Sequence, residues 1–216
     1  MIRTLFPDDV VTVESTGEAS PDTLRPEELA CLGRVVEKRA REFASGRACA
    51  RSALARLGFA DVAIPIEADR VPAWPPGVVG SITHCAGYCG VAVTRRGAIV
   101  GLGVDAEVGP ELDAPLIPLV CRASEVDALR VLAGLTPGEG AMLVFSAKES
   151  VYKCYFPVVR RVLDFHDVEI ELALDSPRGG LFTARVLPGP AVMSRLRGRF
   201  ARDDVRVYTG VTLHAG

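Results

Sequence analysis

Lysine is nearly missing from this chain: of 25 basic residues only Lys38, Lys148 and Lys153 are lysine, and the rest are arginine. Together with abundant Ala, Val and Gly, this bias points to a GC-rich genome and makes each lysine position informative. An excess of one charge is missing too. The 25 basic residues are met by 27 acidic ones spread along the chain, for a net charge of −2, so no basic stripe offers itself to nucleic acid. No segment approaches the roughly 18 apolar residues that a membrane span needs, and the opening Met1-Ile-Arg-Thr-Leu-Phe-Pro-Asp-Asp9 has no signal-peptide core. The expectation is a cytoplasmic protein with no membrane partner. Cys31, Cys49, Cys85, Cys89, Cys121 and Cys154 form no CxxC pair, and His84 with Cys85 and Cys89 lacks the second ligand pair of a zinc site. Reduced, mostly buried thiols are expected.

What is present is enough for a proper core: 216 residues, 49% of them hydrophobic, suffice for one large domain or two small ones. Glu27 to Leu57 reads as a long amphipathic helical region, with Phe43, Ala50, Leu54 and Leu57 on one stripe, Gly46 as a candidate break and Gly58 as a stop. Strands are expected at Val62 to Ile66, Val78 to Thr83, Gly90 to Thr94 and Ala98 to Val104, with an extended proline-rich loop from Val71 to Gly77. Helical blocks follow at Ala114 to Leu135 and Gly140 to Phe156. Strands at Val168 to Leu174, Leu181 to Val186 and Arg206 to Leu213 surround a short helical piece near Ala191 to Phe200. The first 25 residues carry little pattern.

An internal echo organises these elements. Leu57-Gly-Phe-Ala-Asp-Val-Ala-Ile64 matches Leu163-Asp-Phe-His-Asp-Val-Glu-Ile170, and each follows a string opened by phenylalanine, Phe43 to Arg51 and Phe145 to Lys153. Tyr88-Cys-Gly-Val echoes Tyr208-Thr-Gly-Val. Three echoes in the same order favour an α+β fold made of a duplicated unit, with halves 1–103 and 104–216 and a shared site at their interface.

Asp105 and Glu107 end an apolar strand two residues apart, so both face the same way and can share one hard cation, for which Mg²⁺ is better suited than Zn²⁺. Taken alone, the pair is a weak signal and better describes a solvent-facing sheet edge. On the string Phe145-Ser-Ala-Lys-Glu-Ser-Val-Tyr-Lys153, Glu149 and Lys153 share a helix face. Glu149 suits a third carboxylate ligand or a general base, and Lys153 suits charge on a phosphate. Arg39 and Arg47, eight residues apart and thus within about 80° on a helical wheel, flank Phe43 and could grip phosphates or simply form a solvated rim.

In this order, Glu42-Phe43, Gly46-Arg47, Ala50-Arg51, Pro72-Ala-Trp-Pro75, Gly80-Ser-Ile-Thr-His-Cys85, Gly103-Val-Asp-Ala-Glu107 and Phe145 to Lys153 resemble the Sfp/EntD-type 4′-phosphopantetheinyl transferases, in particular the EntD-like, actinobacterial branch. The resemblance implies a pseudo-twofold monomer that binds coenzyme A in the cleft between its halves. It further implies that Asp105, Glu107 and Glu149 hold Mg²⁺, with Mn²⁺ as an admissible substitute. Arg39 and Arg47 would hold the nucleotide phosphates, Thr83 and His84 would line the phosphate and adenosine site, and Lys148 and Lys153 would contact the transferred phosphate. The partner would be an acyl- or peptidyl-carrier protein whose serine attacks the β-phosphate, its proton passing to Glu149 or a metal-bound water. Arg70 would replace a basic residue that relatives carry nearby. A metal-dependent phosphohydrolase and a non-catalytic coenzyme A- or carrier-binding module are the alternatives.

Overall fold

The computed structural model describes residues 1–188 and 194–215. In the first half, β1 (Val11–Ser15) precedes the short α1 (Pro26–Ala30) and the long α2 (Glu37–Arg56), followed by the hairpin of β2 (Val78–Cys85) and β3 (Tyr88–Arg95). Next come β4 (Ile99–Val108), the short helices α3 (Ile117–Val120) and α4 (Ala123–Val131), and the long α5 (Pro137–Val159). The chain closes with β5 (Val168–Ser176), β6 (Gly179–Val186), β7 (Arg195–Arg202) and β8 (Arg206–His214). All strand pairs are antiparallel, in a three-stranded sheet of order β1-β3-β2 and a five-stranded sheet of order β4-β8-β7-β6-β5. Among the described residues no helix is long and apolar enough to cross a membrane. All six cysteines are free thiols, and Cys49, Cys89, Cys121 and Cys154 are buried.

The long helices are specified locally. α2 buries Ala40, Ala44, Ala50, Ala53 and Leu54 on one side and stops where Gly58 takes φ +87°, a conformation open to a residue without Cβ. α5 starts at Thr136, whose hydroxyl accepts the Glu139 N–H at 3.1 Å while Glu139 accepts the Thr136 N–H at 2.7 Å, a reciprocal capping box.

Several expectations need correcting. The first helical region breaks between Ala30 and Glu37 and not at Gly46, which lies buried mid-helix where the Ile82 side chain approaches to 3.2 Å of the place a Cβ would take. Val62 to Ile66 pairs only through an isolated bridge between Ile66 and Pro72, because the Ile64 N–H is taken by Glu28 and Pro65 has no N–H to give. The block from Ala114 to Leu135 is three short helical pieces instead of one. Residues 195–200 belong to β7, where Leu196 and Phe200 point inward and Arg195, Arg197 and Arg199 outward, the alternation of a strand; residues 191–193 lie outside the described residues. β1, from the weakly patterned start, pairs with β3.

The two halves repeat one buried device. Glu28 accepts the backbone N–H groups of Arg25 and Ile64 and pairs with Arg51 of α2. Glu125 accepts those of Arg122 and Ile170 and pairs with Lys148 of α5 at 2.7 Å. Both glutamates are buried, and Ile64 and Ile170 are the last residues of the two matched octapeptides. This correspondence sets Lys148 against Arg51, and not against Gly46 as the aligned helix strings do.

The halves join along β2 and β4. Instead of a backbone ladder, the Ser81 hydroxyl accepts the Val104 N–H at 3.1 Å and the Thr83 hydroxyl accepts the Ala106 N–H at 3.0 Å. Tyr88 and Tyr208, the heads of the third echo, meet edge to face with ring centroids 5.4 Å apart. On the other side of β4, α5 lies so close that a Cβ on Gly103 would fall 1.9 Å from the Ser150 carbonyl oxygen. That close approach brings Glu149 and Lys153 over the end of β4.

Candidate active site

Asp105 is the centre of the site. It lies on β4 opposite Thr209 of β8 and is 2% exposed. Such a buried carboxylate persists only with its oxygens satisfied. Oδ1 accepts from the Thr83 hydroxyl at 3.2 Å and from the Lys153 ammonium at 2.6 Å, and Oδ2 accepts from the Ser146 hydroxyl at 2.8 Å. Thr83 comes from the first half; Lys153 and Ser146 come from α5 of the second. Thr209 completes the support by donating its hydroxyl to the Ser146 carbonyl at 2.8 Å.

Ser146 and Thr209 escaped the sequence reading, although one signal was available. Ser146, Glu149 and Lys153 stand at i, i+3 and i+7 on α5 and so share one face. Thr209 carries no local signal, since only the β4–β8 register brings it to Asp105.

Glu107 and Glu149 are half-buried beside this centre. Burial, reinforced by the Asp105 charge, pushes Glu107 up to about 7, although Lys153 pulls the other way. Burial also raises Glu149, with Lys153 opposing and Asp105 adding to the effect. Among the described residues no three His, Cys, Asp or Glu side chains converge closely enough to form a ready metal cluster, and Lys153 supplies the positive charge at Asp105. The donor chemistry nonetheless suits a hard divalent cation: all the donors are carboxylate oxygens, and Asp105 and Glu107 repel each other in a way that added positive charge relieves.

From the first half, Arg39 and His84 meet with Nη1 and Nε2 2.7 Å apart. A guanidinium can only donate, so Nε2 accepts and the imidazole is neutral with its proton on Nδ1. Burial, followed by the Arg39 charge, lowers the His84 pKa, in accord with that tautomer. Arg47 is 4% exposed, and its guanidinium lies 4.1 Å from the centroid of the Phe43 ring. Its buried Nε has no hydrogen-bond partner, and no ion pair forms to it among the described residues. Burial draws its pKa down to about 10, which still leaves it charged at neutral pH.

Lys148 makes none of the contacts around Asp105, although it lines the same cavity as Glu149. Its ammonium is buried and donates to the Val120 carbonyl at 2.9 Å, to Glu125 at 2.7 Å and to the Phe165 carbonyl at 3.0 Å, which uses all three of its protons. Burial lowers its pKa, and Glu125 opposes the shift. Arg70 is exposed at a turn with φ +69° and makes no side-chain hydrogen bond or ion pair among the described residues. Glu149 also borders a cavity of about 310 Å³, which Lys148, Tyr152, Val162, Leu163, Asp164 and Phe165 line with it. A cavity of about 490 Å³ between α4 and strands β5 and β6 contains none of the candidate residues.

Comparison with known proteins covers nearly the whole chain. Residues 26–94 match the model of the 4′-phosphopantetheinyl transferase N-terminal domain, and residues 101–191 match that of the 4′-phosphopantetheinyl transferase superfamily. The chain is 42% identical over 224 aligned positions to the 4′-phosphopantetheinyl transferase Svp of Streptomyces mobaraensis, an alignment spanning 100% of this chain and 90% of the relative. It is 37% identical to PptT of Mycobacterium tuberculosis, over 95% of this chain and 93% of the relative. It is 34% identical to Npt of Nocardia iowensis, over 88% and 86%. With family models matched over residues 26–94 and 101–191 and relatives 34–42% identical along most of their length, the chain belongs to the 4′-phosphopantetheinyl transferases.

Proposed function

We propose that this enzyme transfers the 4′-phosphopantetheine arm of coenzyme A to a serine hydroxyl of an acyl- or peptidyl-carrier protein and releases adenosine 3′,5′-bisphosphate. It would act as a Mg²⁺-dependent monomer in the cytoplasm. The observation that carries the reading is the meeting on Asp105 of Thr83 from one half with Lys153 and Ser146 from the other, beside Glu107, Glu149 and an open cavity.

Residues 1–103 supply the nucleotide contacts and 104–216 the reacting groups. Among the described residues Arg47 is a buried cation that rests on the Phe43 ring and forms no ion pair, an arrangement that costs free energy unless an anion completes it. With Arg39 and His84 it forms a cradle for nucleotide phosphates. The uncharged pantetheine arm would lie along Tyr152, Val162, Leu163 and Phe165 in the cavity beside Glu149, which Lys148 and Asp164 also line, with its phosphate next to Glu149 and Lys153. Asp105, Glu107 and Glu149 would hold Mg²⁺, which when bound supplies neutralising charge for the pyrophosphate. Glu149 takes the proton from the serine hydroxyl as that oxygen bonds to the β-phosphorus. The bond from this phosphorus to the bridging oxygen breaks, and the bisphosphate leaves with the electron pair. Lys153 neutralises charge on the phosphoryl group in transit, so rate comes from positioning and electrostatics.

The test is to incubate the protein with coenzyme A, Mg²⁺ and several apo carrier proteins and to weigh each carrier intact. A gain of one phosphopantetheine that EDTA abolishes is the expected result. Coenzyme A consumed without any carrier would mean a phosphohydrolase instead, and binding without turnover a non-catalytic module.

Arg47→Ala should raise the KM for coenzyme A by about 10- to 100-fold, the loss of a charge-assisted contact to phosphate. The melting temperature should hold, because an unpaired buried charge has been removed. A KM within twofold of the parent would take Arg47 out of the substrate site.

A further inference from the structure

Between the Ile66–Pro72 bridge, the chain of the first half makes a small hairpin: the Glu67 N–H donates to the Val71 carbonyl at 2.8 Å and the Arg70 N–H to the Glu67 carbonyl at 2.9 Å. The root of this loop is fixed, because Trp74 packs so tightly on Gly80 that a Cβ there would lie 2.8 Å from the indole. Its tip is held by a residue of the other half. Arg160 donates Nη2 to Glu67 at 2.7 Å and Nη1 to Asp69, so that one planar guanidinium grips two carboxylates of one turn. Arg160 is itself fixed, since it ends α5 in the left-handed conformation at φ +56° with its N–H on the Phe156 carbonyl at 2.8 Å.

The stripe ahead of Arg160 leads to the reaction centre. Tyr152 and Phe156 follow one another at four-residue spacing on α5, just ahead of the Arg160 cap, and stack at 5.3 Å, and Tyr152 lines the cavity beside Glu149. The Asp69 charge reaches the Tyr152 hydroxyl and helps to raise its pKa, behind burial and Glu149. Exposed ion pairs contribute little to folding, and Arg160 is 45% exposed, with Glu67 and Asp69 at 43% and 33%. Their joint effect is on where a short loop sits.

We propose that Arg160 is a positioning residue for coenzyme A: from the second half it latches the 66–72 hairpin, and with it Arg70, over the cleft that the substrate enters. This rests on the transfer reaction proposed above. The latch joins the two halves without touching the reacting atoms, so it would govern substrate capture and not the chemical step. It is also open to solvent, so salt weakens it.

The experiment measures carrier modification at varied coenzyme A for the parent, Arg160→Ala, the pair Glu67→Gln/Asp69→Asn, and all three changes together. Arg160→Ala is expected to raise KM three- to tenfold, with kcat within twofold and the melting temperature unchanged. The neutralised pair should show the same rise, and adding Arg160→Ala to it should add nothing, the non-additivity of groups that act as one unit. Raising salt from 50 to 500 mM, which shortens the screening range about threefold, should lift KM in the parent more than in the variants. An unchanged KM in Arg160→Ala, or additive effects in the triple variant, overturns the latch. Failure of the parent to modify any carrier would instead overturn the reaction itself.

Discussion

Asp105→Asn should lower carrier modification by about 10²- to 10³-fold, the loss typical of removing one group that stabilises a charged transition state, while the protein stays folded. Asparagine keeps the volume of aspartate and can still accept from Thr83 or Ser146, so β4 and α5 remain in place. What disappears is the negative charge that holds the Lys153 ammonium at 2.6 Å and completes the carboxylate set with Glu107 and Glu149. The cost in stability should be about 1–2 kcal/mol, that of a charged hydrogen bond made neutral. Intact-mass assays at saturating coenzyme A and a thermal melt check both halves of the statement. More than a tenth of parental activity in Mg²⁺ would remove Asp105 from the reaction.

Lys148→Met should act in the opposite way, with a large loss of stability and little change in the reaction per folded molecule. Removing the ammonium leaves the Glu125 carboxylate buried without its counter-charge, which costs about 3–5 kcal/mol. Glu125 still has to accept the N–H groups of Arg122 and Ile170. The double variant Lys148→Met/Glu125→Gln is expected to recover only part of the loss: glutamine carries no charge, but its single carbonyl oxygen can replace only one of the two oxygens that accept the Arg122 and Ile170 N–H groups. Urea unfolding of the three proteins measures this. If Lys148→Met melts like the parent but loses transfer, the lysine touches substrate and the structural assignment falls.

The contrast between these two residues shows how far sequence could reach. Asp105, Glu107, Glu149 and Lys153 were legible because period-two and period-four spacings fix which side chains share a face, and a strand and a helix need no tertiary knowledge to be recognised. Lys148 lies one residue from Glu149 on that helix, and so about 100° around it. The string alone does not say which neighbours wait there; Glu125 lies 23 residues upstream. The duplication was visible in the octapeptides, yet its most faithful copy, the buried glutamate with its two N–H donors, was not, because the donors are far apart in sequence. Val62 to Ile66 had the composition of a strand but lost the part to a single side-chain acceptor, Glu28. β7 was misread because its glycine and arginines mask an alternation that only the inward Leu196 and Phe200 reveal.

The hydroxyls of Ser81 and Thr83 stand where a neighbouring strand would ordinarily offer carbonyls, and Thr83 gives its own proton to Asp105. Cohesion and chemistry therefore draw on the same atoms. A change to either hydroxyl would therefore loosen the seam between the halves and disturb Asp105 in one stroke. The same coupling sets a rule for dissection: cutting the chain in the solvent-facing turn at Arg96 and Gly97 would yield two fragments, neither of which is a smaller enzyme. Activity in such a mixture would report directly on how tightly the fragments find each other.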